Sequence, residues 1–490
     1  MMSNLRQQWD KNTGCPITLG LGALLLAVAG ILYSLHIRRP LDSSEAYTAL
    51  AADQAGPAAV VRVAMRFDPG KPPLYQLMLH GLALGLGKSE VTLRAPSTIA
   101  ATATVALLWA LGGTLFEPSI GLAAALMWAV NPLAIIFAEW ARAYALTIAL
   151  SLAQLLALWK LRGERWSPGM VITCALLGAA MLYTHLCTAL ILGAETAMLA
   201  GSAWRGERAS GAWLALGLAL AAFVPYLPVA ADQMNTVVRG HLYDWMGYAG
   251  QTPLSYRALA CAAGAAAIGA LAFAPRLERD DREPIRWCAG IALIPAVLLL
   301  AGSVVVRPMF AIRYVSPSVA IAFLLLARGL AALGARAFRL STVGIAAFMA
   351  FLYPCYGWYE PWRDIARIVA SGSPEEPVFF EPIFTDSNDP LTDHGQGFPQ
   401  GFLRPAFDHY FSGPNPRRAV DPSRPEQARR IIAQAAAAAR GAWLVTTSDE
   451  QTARAELPTD CFRVERAAAG HDATLLHITP LRLDHCSKDR

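Results

Sequence analysis

Four carboxylates lie close together in the first long polar stretch of the sequence, between Leu41 and Leu77. They are Asp42, Glu45, Asp53 and Asp68. The stretch directly follows the first apolar segment, so these acids lie at a membrane surface if that segment crosses a bilayer. A carboxylate in this position can act as a general base that takes a proton from an attacking hydroxyl. We therefore interpret this stretch as one wall of a catalytic cleft.

Basic residues that could hold a phosphate recur on the same predicted side of the membrane as these acids. Arg and Lys can neutralise the charge that develops on a leaving phosphate. Together with a carboxylate base, they indicate transfer of a group from a lipid phosphate. The alternative is a solvated loop with ordinary salt bridges. The polar residues of this outer side are Asp42, Glu45, Asp68, Lys71, Arg94, Glu139, Arg142, Tyr144, His185, Asp232, Arg239, His241, Asp244, Arg307, Arg313 and Tyr314.

The composition indicates a protein that crosses the membrane several times. The chain has 490 residues, of which 55% are hydrophobic and 16% are charged, and its mean hydropathy is +0.37. Soluble proteins contain roughly 25% charged residues. Many apolar runs are about 17–23 residues long, enough to cross a ~30 Å hydrocarbon core. The Lys and Arg residues lie in short loops between these runs, which argues against nucleic-acid binding.

The apolar runs predict about eleven spans with the N-terminus inside and the C-terminus outside. Every second connection is rich in Lys and Arg, as cytoplasmic loops are. This alternation requires that residues 72–87 do not cross, so we predict an interfacial or half-inserted helix there, within an outer loop at 36–94. The membrane is then a cell inner (cytoplasmic) membrane. The predicted spans are 17–35, 95–116, 119–137, 143–161, 168–185, 186–203, 211–229, 256–274, 287–306, 314–334 and 340–357.

The composition changes near Trp358, where apolar runs shorten to strand length and Pro, Asp and Arg become common. We predict a transmembrane domain over residues 1–357 and a small extracytoplasmic α/β domain over 358–490, large enough for its own core. Cys461 and Cys486 could pair if this domain is outside the cytoplasm. The cysteines show no metal-binding spacing, and no ligand set for a divalent metal stands out, although metal dependence stays open.

Several short motifs resemble those of the GT-C membrane glycosyltransferases, in the branch of the protein O-mannosyltransferases and the lipid A aminoarabinose transferases. Their order and spacing carry the resemblance, which covers roughly residues 15–380. It implies a polyprenyl-phosphate-linked sugar as donor and a hydroxyl of a lipid, glycan or protein as acceptor, on the extracytoplasmic side. The motifs are Ser44–Ala49, Lys71–Tyr75, Ser89–Ser97, Glu139–Leu146, Tyr183–His185, Arg313–Pro317 and Pro361–Ala366.

Two positions depart from the motifs of these enzymes. Ser44 stands where the family has an aspartate, and Lys71 stands where it has a histidine. A serine cannot act as a general base unaided. Asp42-Ser-Ser-Glu45 also predicts a capping box at the start of a helix. We predict Glu45 as the base, followed by Asp42, because backbone N–H groups at the N-cap would lower the basicity of Asp42.

The remaining motif residues are predicted to bind the substrate, with Arg94, Arg142 and Arg313 holding the lipid phosphate. Each has a structural alternative; Glu139 and Arg142, for example, can pair across one helical turn. The predicted substrate-binding residues are Asp68, Lys71, Arg94, Glu139, Arg142, Tyr144, His185, Arg313 and Tyr314.

Two other functions remain open. A lipid or small-molecule transporter would place ionisable residues in the middle of its spans, where this chain has Glu195 and Arg328 and few others. A non-catalytic paralogue that binds the lipid is compatible with Ser44.

Overall fold

The computed structural model is mainly helical and ends in a small mixed sheet. Asp68, His241, Asp244, Arg307, the predicted span 256–274 and the predicted Cys461–Cys486 pair lie outside the described residues. The structure describes residues 16–67, 71–162, 167–239, 281–306, 310–353, 361–380, 403–419, 425–446, 462–470 and 473–481.

The helices that precede the sheet follow the predicted apolar runs and the outer loop. Many begin at a capping side chain or a proline, which satisfies or removes a backbone N–H of the first turn. They are α1 (Pro16–Leu32), α2 (Ser43–Ala52), α3 (Pro57–Phe67), α4 (Leu74–Leu86), α5 (Glu90–Leu115), α6 (Pro118–Ala129), α7 (Pro132–Ala138), α8 (Tyr144–Leu161), α9 (Pro168–Thr184), α10 (Thr188–Trp204), α11 (Ser210–Phe223), α12 (Leu227–Arg239), α13 (Arg282–Val305), α14 (Ser316–Ala331) and α15 (Ala335–Leu352).

Several of these helices can cross a membrane, which confirms the predicted class of polytopic helical protein. Within the described ranges, five helices are long and apolar enough, or six if α6 and α7 form one span. Shorter apolar helices include α4, α9 and α14. The number of eleven spans and the interfacial position of α4 stay predictions.

The run 119–137, predicted as one span, is broken into α6 and α7, which are bent by 68°. Asn131 lies at the break and accepts a hydrogen bond from the Leu133 N–H at 2.8 Å. Pro132 follows, and a residue before proline avoids the helical region of backbone space. The run 119–137 is therefore bent at Asn131, and its assignment as one span stays a prediction.

Helices α5 and α6 approach each other through glycine. A Cβ added to Gly112 would lie 2.3 Å from the Cα of Gly121, so neither position accepts a side chain without moving a helix. Such small-residue contacts are the usual way in which membrane helices pack closely, since apolar side chains gain little by leaving lipid.

The C-terminal part is an α/β unit, as predicted, although its predicted boundary at residue 358 is untested. Strand β1 lies parallel to β2 and β3, whereas β5 lies antiparallel to β3 and β4, giving the order β2-β1-β3-β5-β4. The elements are α16 (Trp362–Ser371), β1 (Val378–Phe380), α17 (Leu403–Tyr410), β2 (Arg417–Ala419), α18 (Pro425–Ala439), β3 (Ala442–Thr446), β4 (Phe462–Ala469) and β5 (Thr474–Pro480).

Alternation along β1 divides the packing of this sheet between two faces. Val378 and Phe380 join an apolar cluster with α16 and α17, whereas Phe379 packs on the other face with Ile432 of α18. Ala46 of α2 belongs to the first cluster. The outer-loop helix α2 therefore packs against the C-terminal unit, which places its N-terminal end between the two parts of the protein.

Candidate active site

Helix α2 begins at the capping box that the sequence predicts. Asp42 is the N-cap, and its Oδ1 accepts a hydrogen bond from the Glu45 N–H at 2.7 Å. The Asp42 N–H donates to Glu45 Oε2 at 2.9 Å. Ser44 also donates its hydroxyl to Asp42 Oδ1, at 2.7 Å. The two candidate bases are therefore held on one turn of backbone.

Glu45 forms a buried ion pair with Arg94 of α5. Both side chains are 0% exposed. Arg94 Nε donates to Glu45 Oε1 at 2.8 Å and Arg94 Nη2 donates to Oε2 at 2.5 Å. The Ala141 N–H adds a second bond to Oε1, at 2.7 Å. Each carboxylate oxygen of Glu45 thus already accepts two hydrogen bonds.

The other N–H groups of Arg94 bind the chain between the first span and α2. They donate to the carbonyl oxygens of Ile37 and Arg39, at 3.1 and 2.5 Å, and of Pro40, at 2.9 Å. A guanidinium has five N–H donors, and these contacts together with Glu45 use all of them. Arg94 holds the entry to α2, which is a different arrangement from the phosphate contact that the sequence predicts.

The environment shifts the pKa values of the two candidate bases in opposite directions. Burial, and then the neighbouring Glu45 carboxylate, raise the pKa of Asp42, against smaller effects of Ser44 and Arg142. Burial alone would raise the pKa of Glu45, but the charge and hydrogen bonds of Arg94 outweigh it and lower that pKa. Asp42 Oδ2 is buried and has no hydrogen-bond partner among the described residues. The surroundings therefore favour the protonated form of Asp42 and the ionised form of Glu45.

A row of cations and aromatic rings lies near the capping box and is here called the basic row. It consists of Lys71, Tyr144, His185, Tyr314 and Arg313. Lys71 Nζ lies 4.7 Å from the ring centre of Tyr144, and the Tyr144 and His185 rings are 5.8 Å apart. The row continues from His185 to Tyr314, at 5.5 Å, and ends at Arg313, which lies over the Tyr314 ring at 5.1 Å. Chain segments far apart in sequence meet here.

His185 and Cys187 lie in the turn between α9 and α10. The His185 ring accepts a hydrogen bond at Nδ1 from the Cys187 N–H, at 3.2 Å, which fixes the ring in the turn between α9 and α10.

Arg142 and Trp140 connect the capping box with the basic row. Arg142 Nη1 donates to the Ser44 carbonyl oxygen at 2.9 Å, and its guanidinium lies 5.9 Å from the Trp140 ring centre. The Trp140 and Tyr144 rings are 5.3 Å apart. Trp140 was not among the predicted site residues, although it lies inside the Glu139–Leu146 motif.

Glu139 lies at a separate position, between the ends of the first and last apolar helices. It is 2% exposed and accepts from Tyr353 Oη at 3.2 Å. His36 Nδ1 lies 3.0 Å from Glu139 Oε1, and Arg39 is also an ion-pair partner. His36 and Tyr353 were not predicted as partners of Glu139, because they lie far from it in the sequence and meet it only in the folded chain.

The described residues contain no group of three or more His, Cys, Asp or Glu side chains that could hold a metal ion. Of the other outer residues, Asp232 is exposed on α12. The predicted site residues brought together by the structure are Asp42, Glu45, Lys71, Arg94, Arg142, Tyr144, His185, Arg313 and Tyr314.

Solved structures with similar backbones include the following three, each with a TM-score below 0.5. ArnT from Cupriavidus metallidurans is 16% identical, with a TM-score of 0.46 and coverage of 94% of this chain and 98% of its own. The Archaeoglobus fulgidus oligosaccharyltransferase is 10% identical and has a TM-score of 0.47. The match covers 86% of this chain and 67% of the oligosaccharyltransferase chain. The mycobacterial arabinofuranosyltransferase AftD is 15% identical and has a TM-score of 0.48. The match covers 94% of this chain and 41% of the AftD chain.

The sequence itself matches one family description. A comparison with curated proteins finds no match. Residues 70–228 match the model of the dolichyl-phosphate-mannose-protein mannosyltransferase family. This segment contains Lys71, Arg94, Arg142, Tyr144 and His185. Over residues 70–228, the chain is therefore similar to the dolichyl-phosphate-mannose-protein mannosyltransferases, as the resemblance of its motifs to membrane glycosyltransferases predicts.

Proposed function

We propose that this protein is an integral-membrane glycosyltransferase that moves a sugar from a polyprenyl-phosphate donor to an acceptor hydroxyl. The observation that carries the proposal is the juxtaposition of Asp42 with the basic row through Arg142 and Trp140. The family match over residues 70–228 supports a donor that is a lipid phosphate carrying a sugar. The acceptor is a lipid, glycan or protein.

In the proposed reaction, Asp42 is the general base. Its Oδ2 has no hydrogen-bond partner among the described residues, and its pKa is raised by burial. The acceptor oxygen attacks the anomeric carbon of the donor, while Asp42 takes the proton of the acceptor hydroxyl. The bond between that carbon and the phosphate oxygen breaks, and the lipid phosphate leaves with the electron pair.

The cations of the basic row hold the donor phosphate in this proposal. Lys71 and Arg313 bring two positive charges to the rings of Tyr144 and Tyr314. Arg313 can bind two phosphate oxygens at once. Positive charge fixed in a water-poor site stabilises the leaving phosphate, since little reorganisation is needed during the reaction.

The proposed site opens on the extracytoplasmic side of a cell inner membrane, with the N-terminus in the cytoplasm and the C-terminal unit outside. The alternation of Lys- and Arg-rich loops supports this orientation. Labelling of single cysteines at position 88 and at position 160 tests it. Modification of both by an impermeant maleimide from the same side contradicts the orientation.

Transfer is tested with the purified full-length protein in lipid nanodiscs. Synthetic polyprenyl-phosphate mannose and polyprenyl-phosphate arabinose are offered with extracts of bacterial envelope lipids, polysaccharides and proteins. The expected result is free polyprenyl phosphate and a glycosylated acceptor by mass spectrometry, both formed about 10²–10⁴-fold more slowly in Asp42→Asn. Binding of polyprenyl phosphate without transfer for any donor favours the non-catalytic paralogue.

The transporter alternative makes a different prediction for the same preparation. A lipid transporter in vesicles moves the labelled donor across the bilayer and leaves it chemically unchanged. Most charged groups described here lie near helix ends and in the outer connections, which favours the enzyme. Translocation of intact donor, with no transferred sugar, overturns the proposal.

A further inference from the structure

A tyrosine hydroxyl of the C-terminal unit contacts the backbone directly before the capping box. Tyr410, the last residue of α17, accepts a hydrogen bond at Oη from the Leu41 N–H at 2.7 Å. Leu41 is the residue directly before Asp42. The Tyr410 hydroxyl donates in turn to Glu90 Oε1, at 3.1 Å. A residue of the C-terminal unit is thus bonded to the backbone that leads into the N-cap of α2.

A second residue of the same unit completes this contact. Arg363 of α16 pairs with the same Glu90 oxygen, and its guanidinium lies 5.6 Å from the Tyr410 ring centre. Glu90 belongs to the first turn of α5, the helix that carries Arg94. The two ion pairs Arg363–Glu90 and Arg94–Glu45 therefore hold α5 to the C-terminal unit and to α2, one turn apart.

Apolar packing makes this connection stiff. Ala46 of α2 lies in the same buried cluster as Phe407 and Phe411 of the C-terminal unit, and Tyr410 packs against the outer-loop cluster of Leu41 and Tyr75. Close packing of this kind transmits small displacements, because protein interiors have few voids. A change at Tyr410 reaches Leu41 directly and Asp42 one residue later.

We propose that Tyr410 is a positioning residue of the active site: through the Leu41 N–H it fixes where the Asp42 carboxylate lies, so the C-terminal unit sets the turnover rate. This inference rests on the proposed glycosyl transfer with Asp42 as base. A displacement of about 1 Å in a catalytic group can lower a rate by up to about 100-fold. Tyr410 touches neither the donor phosphate nor the acceptor in this arrangement.

The test is a double-mutant cycle with Tyr410→Phe and Asp42→Asn. Tyr410→Phe removes the hydroxyl and keeps the ring, so the expected result is a kcat about 10-fold lower with an unchanged KM for the donor. In the Asp42→Asn background the same change has no further effect, because the base that it positions is gone. Arg404→Gln, which removes an ion pair elsewhere on α17, is the matched control and keeps full kcat.

Stability and backbone readouts separate positioning from loss of folding. Hydrogen exchange at residues 41–46 should increase in Tyr410→Phe, while the thermal midpoint stays near that of Arg404→Gln. Full kcat in Tyr410→Phe, or equal losses in the two backgrounds, overturns this inference and leaves the proposed transfer standing. Absence of transfer by the unmodified protein overturns the proposed function instead. If Tyr410→Phe does not fold, Glu90→Gln is the second variant, because it weakens the acceptor of the Tyr410 hydroxyl and removes the ion pair with Arg363. It should lower kcat with the donor KM unchanged, and full kcat there contradicts the inference.

Discussion

Two neighbouring clusters of charged side chains, the Glu45–Arg94 pair and the basic row, are built differently. In the Glu45–Arg94 pair, each Glu45 oxygen and each guanidinium N–H has a hydrogen-bond partner within the protein. In the basic row, Lys71 and Arg313 lie over tyrosine rings. In the first arrangement the opposite charges lie in direct contact, whereas in the second each cation lies over an aromatic ring. Burial of a charge therefore does not by itself mark a ligand site; the contacts around it decide.

Asp42 and Glu45 are only three positions apart in the sequence, but their carboxylates differ in how many hydrogen-bond partners they have. Glu45 is a structural anchor in this arrangement, because a carboxylate with its lone pairs occupied and its pKa lowered is a weak base. Asp42 has an oxygen without a partner among the described residues. The sequence ranking of Glu45 above Asp42 stays a prediction, and the contacts favour the reverse order.

The largest expected effect is on the transfer rate of Asp42→Asn. Loss of a general base lowers a rate by about 10²–10⁴-fold, and asparagine can still accept the Glu45 N–H at the N-cap. The measurement is kcat together with polyprenyl phosphate affinity, which should be unchanged. Glu45→Gln is the matched variant. If Glu45→Gln retains donor binding and a native thermal midpoint but loses as much kcat as Asp42→Asn, the proposed division of roles is wrong.

The second largest effect is a loss of stability in the variant Arg94→Met. Removing one partner of a buried pair leaves an uncompensated charge and costs about 3–5 kcal/mol, so we expect a much lower thermal midpoint in detergent. The control is Lys88→Met, whose ion pair with Asp53 is half exposed on both sides and contributes at most about 1 kcal/mol. Equal midpoints for the two variants would remove the anchoring role from Arg94.

A smaller effect is expected on the affinity for polyprenyl phosphate in the variant Arg313→Lys. Lysine keeps the charge but cannot bind two phosphate oxygens in the fork geometry of arginine. A hydrogen bond to a charged group contributes about 1.5–3 kcal/mol, so polyprenyl phosphate affinity should fall by about 10-fold or more, with thermal stability retained. The exposed Arg336→Lys serves as control. An affinity equal to that of the control places the phosphate elsewhere.

The smallest effect concerns Ser44, which lies between the two candidate bases. The Ser44 hydroxyl bonds to Asp42 Oδ1 and lowers its pKa. A base works in its deprotonated form, so activity should fall as the pH falls through the raised pKa of Asp42. Ser44→Ala removes the lowering contact, and the acid limb of kcat/KM should move to higher pH. Ser34→Ala, at an exposed residue of the turn after α1, provides the reference profile. If the Ser44→Ala and Ser34→Ala profiles coincide, the acid limb does not belong to Asp42.

The sequence by itself determined the class of the protein, most helix positions and the capping box. These depend on local chemistry: apolar run length sets a span, and Asp42 with Glu45 satisfies the N–H groups of the turn between them. The break at Asn131 also has a local cause, the Asn131-Pro132 pair. The sequence did not predict it, because the apolar run on both sides is long enough to cross a membrane.

Only the tertiary structure decided which charges anchor the fold and which line the site. Arg94 and Arg313 have the same side chain at the same predicted side of the membrane, and no local pattern tells them apart. The difference comes from partners 49 to 57 positions away in the sequence, Glu45 and the carbonyls of residues 37–40. Tyr410 is more remote still, at 369 positions from Leu41. Hydrogen bonding and desolvation depend on the groups within a few ångströms, and folding alone chooses those neighbours.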